Sequence, residues 1–251
     1  MLRNALLLTI CLLLASIFVT AGHANEPGYE ITIPKITVLP VIDGILNDAV
    51  WRFFDPVEWG NINTGGEVDK DQFSRTWAAY DDEFIYVAFE NLEPDTASLT
   101  TDQKVRDIDV WQDDSAELFI EPNNVGEEPY FQIVINAANL TYDDENGGAL
   151  RAWNPRLESA TRIYNDRWTV EVKMPFEDLG SDKTPAGEIW GWNFNRHIMT
   201  NASIWTGWAT TGSSFHTPKR FGALTFGGIL TSVQPSDRLA GTWGNIKVSG
   251  D

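Results

Sequence analysis

Between residues 31 and 226 the apolar side chains of this chain recur at alternate positions in short runs, and no segment of any length repeats at the helical period of about 3.6 residues. The clearest run is 168–174, where Trp168, Val170, Val172 and Met174 point one way and Thr169, Glu171 and Lys173 the other. This is the pattern of a strand with one buried face. Comparable runs cover 31–38, 73–80, 84–91, 115–121, 130–136, 157–164, 189–199, 202–209 and 221–226. Turn signals separate them, among them Asp81-Asp82-Glu83, Pro122-Asn123-Asn124, residues 144–148 and Asn165-Asp166-Arg167. Eleven Trp, 13 Phe and 20 Gly suit a chain of strands and tight turns. Helical candidates are limited to single turns at 46–51 and 175–179. The expected fold class is all-β, an antiparallel β-sandwich or jelly-roll with one or two single helical turns.

Residues 1–24, MLRNALLLTICLLLASIFVTAGHA, do not belong to that pattern. One cation, Arg3, precedes an apolar run from Ala5 to Val19, and small residues close it at Gly22-His23-Ala24. This reads as a secretory signal peptide, with the mature chain periplasmic or extracellular and not inserted in a membrane. The run is short beside the roughly 20 apolar residues of a membrane span. The remaining chain is expected to form one sandwich domain over 25–228. A tail, 229–251, follows Gly227-Gly228 and carries Trp243, which favours a final docked strand. No fused catalytic domain is expected in this length. The one cysteine, Cys11, leaves with the signal, so disulfides, a Cys nucleophile, Cys-bound zinc and iron–sulfur clusters are excluded from the exported form.

With 18 Lys and Arg against 36 Asp and Glu, the formal charge is −18 and the basic residues are scattered singly. Such a surface repels nucleic acid. His197 and His216 stand too far apart for the usual zinc spacings, and no Gly-x-Ser-x-Gly elbow or Gly-rich phosphate loop is present.

The most informative segment is 110–120, where Trp111 stands at the mouth of a strand and is followed by Asp113, Asp114 and Glu117. An indole can stack on the apolar face of a sugar ring while carboxylates and amides take its hydroxyls. Gln132 and Asn195, on neighbouring strands, could supply such amides. The competing reading puts Trp111 in the core and the acids on a solvated turn. On the 189–199 strand, Asn193, Asn195 and His197 share one face and Arg196 falls on the other with Trp192 and Phe194, so only one set can line a pocket. The Asn195 face is the expected one. Asp113, Asp114, Asp143 and Asp144 are candidate oxygen ligands for structural calcium, without the spacing of an EF-hand.

These residues form an ordered series. Ile42-Asp43-Gly44-x3-Asp48-x2-Trp51 is followed by Trp111-x2-Asp114-x2-Glu117-Leu118-Phe119-Ile120, by Tyr130-x-Gln132-x3-Asn136, and by Trp168-x2-Glu171-x2-Met174-Pro175-Phe176-x2-Leu179. Gly191-Trp192-Asn193-Phe194-Asn195-Arg196 and Trp208-x6-Phe215-His216-x-Pro218-x2-Phe221-Gly222 complete it. The series resembles that of the family 9 carbohydrate-binding modules. The resemblance implies a β-sandwich that holds a sugar, or the reducing end of a glycan chain, between two aromatic side chains, with structural calcium often nearby. It implies Trp111 as one side of the clamp, Glu117 as a polar contact and Phe215 as the second aromatic, in place of the Trp of the best known binders. It also implies that Gln132 stands where those binders use Arg, and Asn195 where they use a longer amide, so the identity of the sugar does not carry over.

The expected function is thus a non-catalytic protein for mono-, oligo- or polysaccharides, associated with carbohydrate catabolism and with separate glycoside hydrolases as partners. Two other readings use the same chain. A b-type haem electron carrier would draw axial ligands from His197, Met199, His216 and Met174. A glycoside hydrolase would need a carboxylate couple such as Glu117 and Asp114, although nothing in the sequence gives either a reason for a raised pKa.

Overall fold

The computed structural model describes residues 28–148, 152–181, 184–200 and 202–230. The expected signal segment 1–24, and the tail beyond Leu230 with Trp243, lie outside these described residues. Thirteen strands are present among them: β1 (Glu30–Lys35), β2 (Val57–Trp59), β3 (Asn61–Ile62), β4 (Ser74–Tyr80), β5 (Phe84–Leu92), β6 (Ser115–Glu121), β7 (Phe131–Asn136), β8 (Thr141–Glu145), β9 (Glu158–Ile163), β10 (Arg167–Pro175), β11 (Ile189–Ile198), β12 (Ile204–Gly207) and β13 (Gly222–Ile229). Among the described residues helix is confined to short 3₁₀ turns, including Val50–Arg52 and Phe176–Leu179, which overlap the turns expected at 46–51 and 175–179. Among the described residues no helix is long and apolar enough to cross a membrane.

All the strands join one hydrogen-bonded sheet whose main path runs β8-β7-β6-β11-β13-β1-β4-β5-β10-β9. The sheet curls, and its two halves face each other across a common apolar core. Phe89 of β5 meets Phe194 of β11 with ring centroids 6.0 Å apart. The two ends of the path also approach: Asn139, in the β7–β8 turn, donates through Nδ2 to the Ser159 carbonyl of β9.

The expectation of a purely antiparallel sheet is corrected at β1, which pairs in parallel with both β13 and β4. Parallel neighbours need a long connection, and residues 36–73 supply one between β1 and β4. Three strands were not anticipated. Val57–Trp59 and Asn61–Ile62 are too short to show alternation, and the turn signal at 144–148 overlaps the end of the strand at 141–145.

A second correction concerns β10, expected to be buried on one face. Trp168, Val170, Val172 and Met174 do enter the core, but Thr169 and Glu171 on the other face are buried as well. Glu171 accepts hydrogen bonds from the Asp43 and Gly44 amides at 3.1 and 2.8 Å and from Trp51 Nε1 at 2.7 Å. The N-terminal loop is thereby folded over β10. Gly44 is required there: its φ is +79°, and a Cβ would lie 2.7 Å from the Thr161 carbonyl carbon. Two separated sequence signatures, 42–51 and 168–179, thus meet in one structural clasp.

Candidate functional site

Strand alternation builds the site. On β6, Ala116, Leu118 and Ile120 face the core, so Ser115, Glu117 and Phe119 face the other way. On β7 the core set is Phe131, Ile133 and Ile135, which turns Gln132 outward; on β11 it is Trp190, Trp192 and Phe194, which turns out Asn193, Asn195 and His197. The outer face of this half of the sheet carries a cleft of about 630 Å³, within the range of small-molecule sites (about 300–1,000 Å³).

Trp111, Glu117, Gln132 and Phe215 all line this cleft. Asn195 does not. It is directly opposite Glu117 across the β6–β11 pair and as fully buried, but it is not among the residues that line the cleft. Both amide atoms of Asn195 lack a protein partner, as does Glu117 Oε1, while Glu117 Oε2 accepts from Gln132 Nε2 at 2.8 Å. Arg196, on the opposite face, is fully buried between the sheet halves. There it donates to Glu93 Oε2 at 3.1 Å and to the Gln72 and Leu92 carbonyls at 2.9 Å.

Two aromatic pairs shape the walls. Trp111, half-buried, meets Tyr142 edge-on with centroids 4.7 Å apart, and Trp205, also half-buried, meets Phe215 edge-on at 5.5 Å. Phe215 is itself 7% exposed and packs against Phe119 at 5.9 Å. Trp205 therefore presents more ring to the cleft than the expected second clamp residue does. Sequence reasoning missed Trp205 and Tyr142. Trp205 pairs with His197, so it shares the outward face of β11, but that register is invisible in the sequence. Tyr142 sits on the unanticipated β8.

His197 ties the two walls together from behind. Its Nδ1 lies 2.7 Å from the Trp111 carbonyl, its Nε2 2.9 Å from Ser203 Oγ, and its ring stacks on Trp205 at 3.6 Å and 6°. A carbonyl only accepts, so Nδ1 carries the proton and Nε2 accepts from the Ser203 hydroxyl. That is the neutral tautomer, and burial holds the His197 pKa below its ordinary value despite the pull of the Trp111 carbonyl.

The acids after Trp111 are not a solvated turn. Asp113 accepts from the Asp102 and Gln103 amides at 2.9 and 3.1 Å and from Asn136 Nδ2 at 2.7 Å; Asp114 accepts from the Thr100 and Met199 amides at 2.8 and 2.9 Å. Both staple neighbouring chain under the turn that presents Trp111. Asp143 pairs with Arg106, and Asp144 Oδ2 accepts from Tyr142 Oη at 2.6 Å. Among the described residues no group of three or more His, Cys, Asp or Glu is placed to hold a metal ion, so these four acids are not gathered into a calcium site. Haem ligation fits no better: Met174 is fully buried in the core and both ring nitrogens of His197 are committed.

Burial of Glu117 raises its pKa to about 8, with the Gln132 bond only partly opposing this. The sequence offered no cause for such a shift because alternation does not report depth. Asp114 is also raised, by burial against its two amide donors, yet it does not line the cleft, so the Glu117–Asp114 couple is not assembled there.

The model of the family described as "Carbohydrate family 9 binding domain-like" matches residues 42–228. Endo-1,4-beta-xylanase A of Thermotoga neapolitana is 23% identical over 189 residues, which cover 74% of this chain and 17% of the xylanase. The chain thus matches under a fifth of that enzyme's length. A family 9 carbohydrate-binding module from Caldicellulosiruptor kristjanssonii, solved with glucose, superposes with a TM-score of 0.59 at 22% identity, covering 82% of this chain and 100% of the module. A structure of a family 9 module from the same organism with cellotriose gives 0.61 at 20% identity over the same shares. The matched span takes in the clasp of the N-terminal loop on β10 and every described wall of the cleft, and on it the chain belongs to the carbohydrate family 9 binding domain-like family.

Proposed function

We propose that this protein is an exported, non-catalytic saccharide-binding protein built as a jelly-roll-type sandwich, with the outer-face cleft as its binding site. The observation that carries this is the pairing of half-buried aromatic rings, Trp111 and Trp205, with a buried polar atom on the cleft floor, Glu117 Oε1, that has no protein partner. A buried polar oxygen without a partner is costly, and a ligand hydroxyl, which can donate or accept, relieves that cost while the sugar's apolar face stacks on an indole. Family membership supports the same reading, as do the glucose and cellotriose held by the solved relatives. Residues 1–24 support export, and the xylanase relative supports work beside glycoside hydrolases. Calorimetric titration with glucose, xylose, cellobiose and cellotriose tests it. Saturable binding at millimolar or lower concentration with no hydrolysis of the oligosaccharides is expected; flat traces for every sugar would overturn it.

A further inference from the structure

The same cleft carries a charge pattern that a neutral sugar does not answer. Tyr142 Oη donates to Asp144 Oδ2, and Gln132 Nε2 donates to Glu117 Oε2, which leaves Asp144 Oδ1 and Glu117 Oε1 without a protein donor. Both side chains line the cleft, at 1% and 0% exposure. Among its described lining residues there is no Lys or Arg, and His216, exposed at the cleft edge, has its pKa held below the ordinary value by partial desolvation of the ring, so it is mostly neutral near neutral pH. Two buried carboxyl groups, each with one unpartnered oxygen, thus border a space walled by Trp111, Tyr142, Trp205 and Phe215. Buried acids require a donor or a counter-charge, and faces of Trp and Tyr attract cations. A hydroxyl supplies one hydrogen and no charge. An ammonium group supplies three hydrogens and a full positive charge.

Resting on the saccharide reading above, we infer that the cleft selects amino sugars, hexosamine units with a free amine, over their neutral counterparts. The amine takes the open oxygens of Asp144 and Glu117 while the ring stacks on an aromatic wall. An ammonium ion beside Glu117 favours its ionised form, opposing the effect of burial, so binding of the amino sugar releases a proton.

Titration of the purified protein near neutral pH with glucose, glucosamine and N-acetylglucosamine tests this. Glucosamine is expected to bind at least about tenfold more tightly than glucose, with the gain absent in N-acetylglucosamine, whose nitrogen is uncharged. In the Asp144→Asn variant the ratio of glucosamine to glucose affinity falls toward one. Glucose binding that equals or exceeds glucosamine binding in the unaltered protein would overturn the inference and leave the saccharide reading intact. Binding of none of the three would overturn both. A full glucosamine preference in a folded Asp144→Asn protein would remove the assignment to this carboxylate pair.

Discussion

His197 does not line the cleft, yet it contacts parts of both walls: the backbone carbonyl that follows the Trp111 side chain, the Ser203 hydroxyl and the face of Trp205. Each of its hydrogen bonds contributes about 1 kcal/mol. The His197→Ala variant should bind saccharide about tenfold more weakly, because Trp111 and Trp205 lose their common support. Calorimetry alongside thermal unfolding checks this, and an unchanged affinity in a variant of lower melting temperature would mean that His197 is only structural. At this scale the sequence was readable where side-chain type and strand parity suffice. Trp111, Glu117, Gln132 and Phe215 share one cleft because alternation sends Glu117 and Gln132 outward from adjacent strands. Asn195 obeys the same parity and is as buried as Glu117, yet it does not line the cleft, and parity alone does not say which outward residues reach it. Trp205 needed the β11–β12 register, which no local pattern encodes.

Among the elements, β10 shows what alternation alone leaves out. Its inward face was legible from Trp168 to Met174, but Glu171 looked like a solvent-facing residue of a half-buried strand. Instead it gathers three donors from a loop more than a hundred residues away in sequence. The sheet positions the carboxylate, and the loop, with Gly44 in a left-handed conformation, wraps to reach it. Replacing Glu171 with Ala leaves the Asp43 and Gly44 amides and the Trp51 indole without their acceptor. The cost should be about 3 kcal/mol, read as a lower denaturant midpoint. A midpoint equal to the unaltered protein's would show that the clasp adds nothing to stability. The β1 pairings were beyond the sequence for a related reason: the run at 31–38 signals a strand, and nothing local says that its neighbours are parallel.

The whole molecule is acidic, at −18, and it buries several of its acids: Glu93, Asp114, Glu117, Glu121, Asp143 and Glu171 all have raised pKa values, with burial the leading cause. A carboxyl group whose folded pKa lies above its unfolded one keeps its proton longer when folded, so its contribution to stability is lost as pH rises between the two values. His197, which is buried, and His216 act in the opposite sense, since their lowered pKa values favour the folded state as pH rises toward 6.5. Above about pH 7 both histidines are largely neutral in either state. Asp143, raised to about 6, has then largely titrated, whereas Glu117, raised to about 8, has not. Stability should therefore fall between about pH 7 and 8 by less than about 1.4 kcal/mol per unit, and Glu117→Gln should flatten that slope. Denaturant unfolding across this range checks it; a slope unaffected by the substitution would place the titrating group elsewhere.

The central claim is that a saccharide sits against Trp111 in the outer-face cleft, and its most direct test is a titration of cellotriose into the unaltered protein and the Trp111→Ala variant side by side. Trp111 is half-buried, and the turn that bears it is anchored by Val110, Asp113 and Asp114 rather than by the indole, so the variant should fold. Saturable binding by the unaltered protein that falls about 10- to 100-fold or more in a folded variant is the predicted result. Equal affinity in the two proteins would place the saccharide elsewhere and contradict the account.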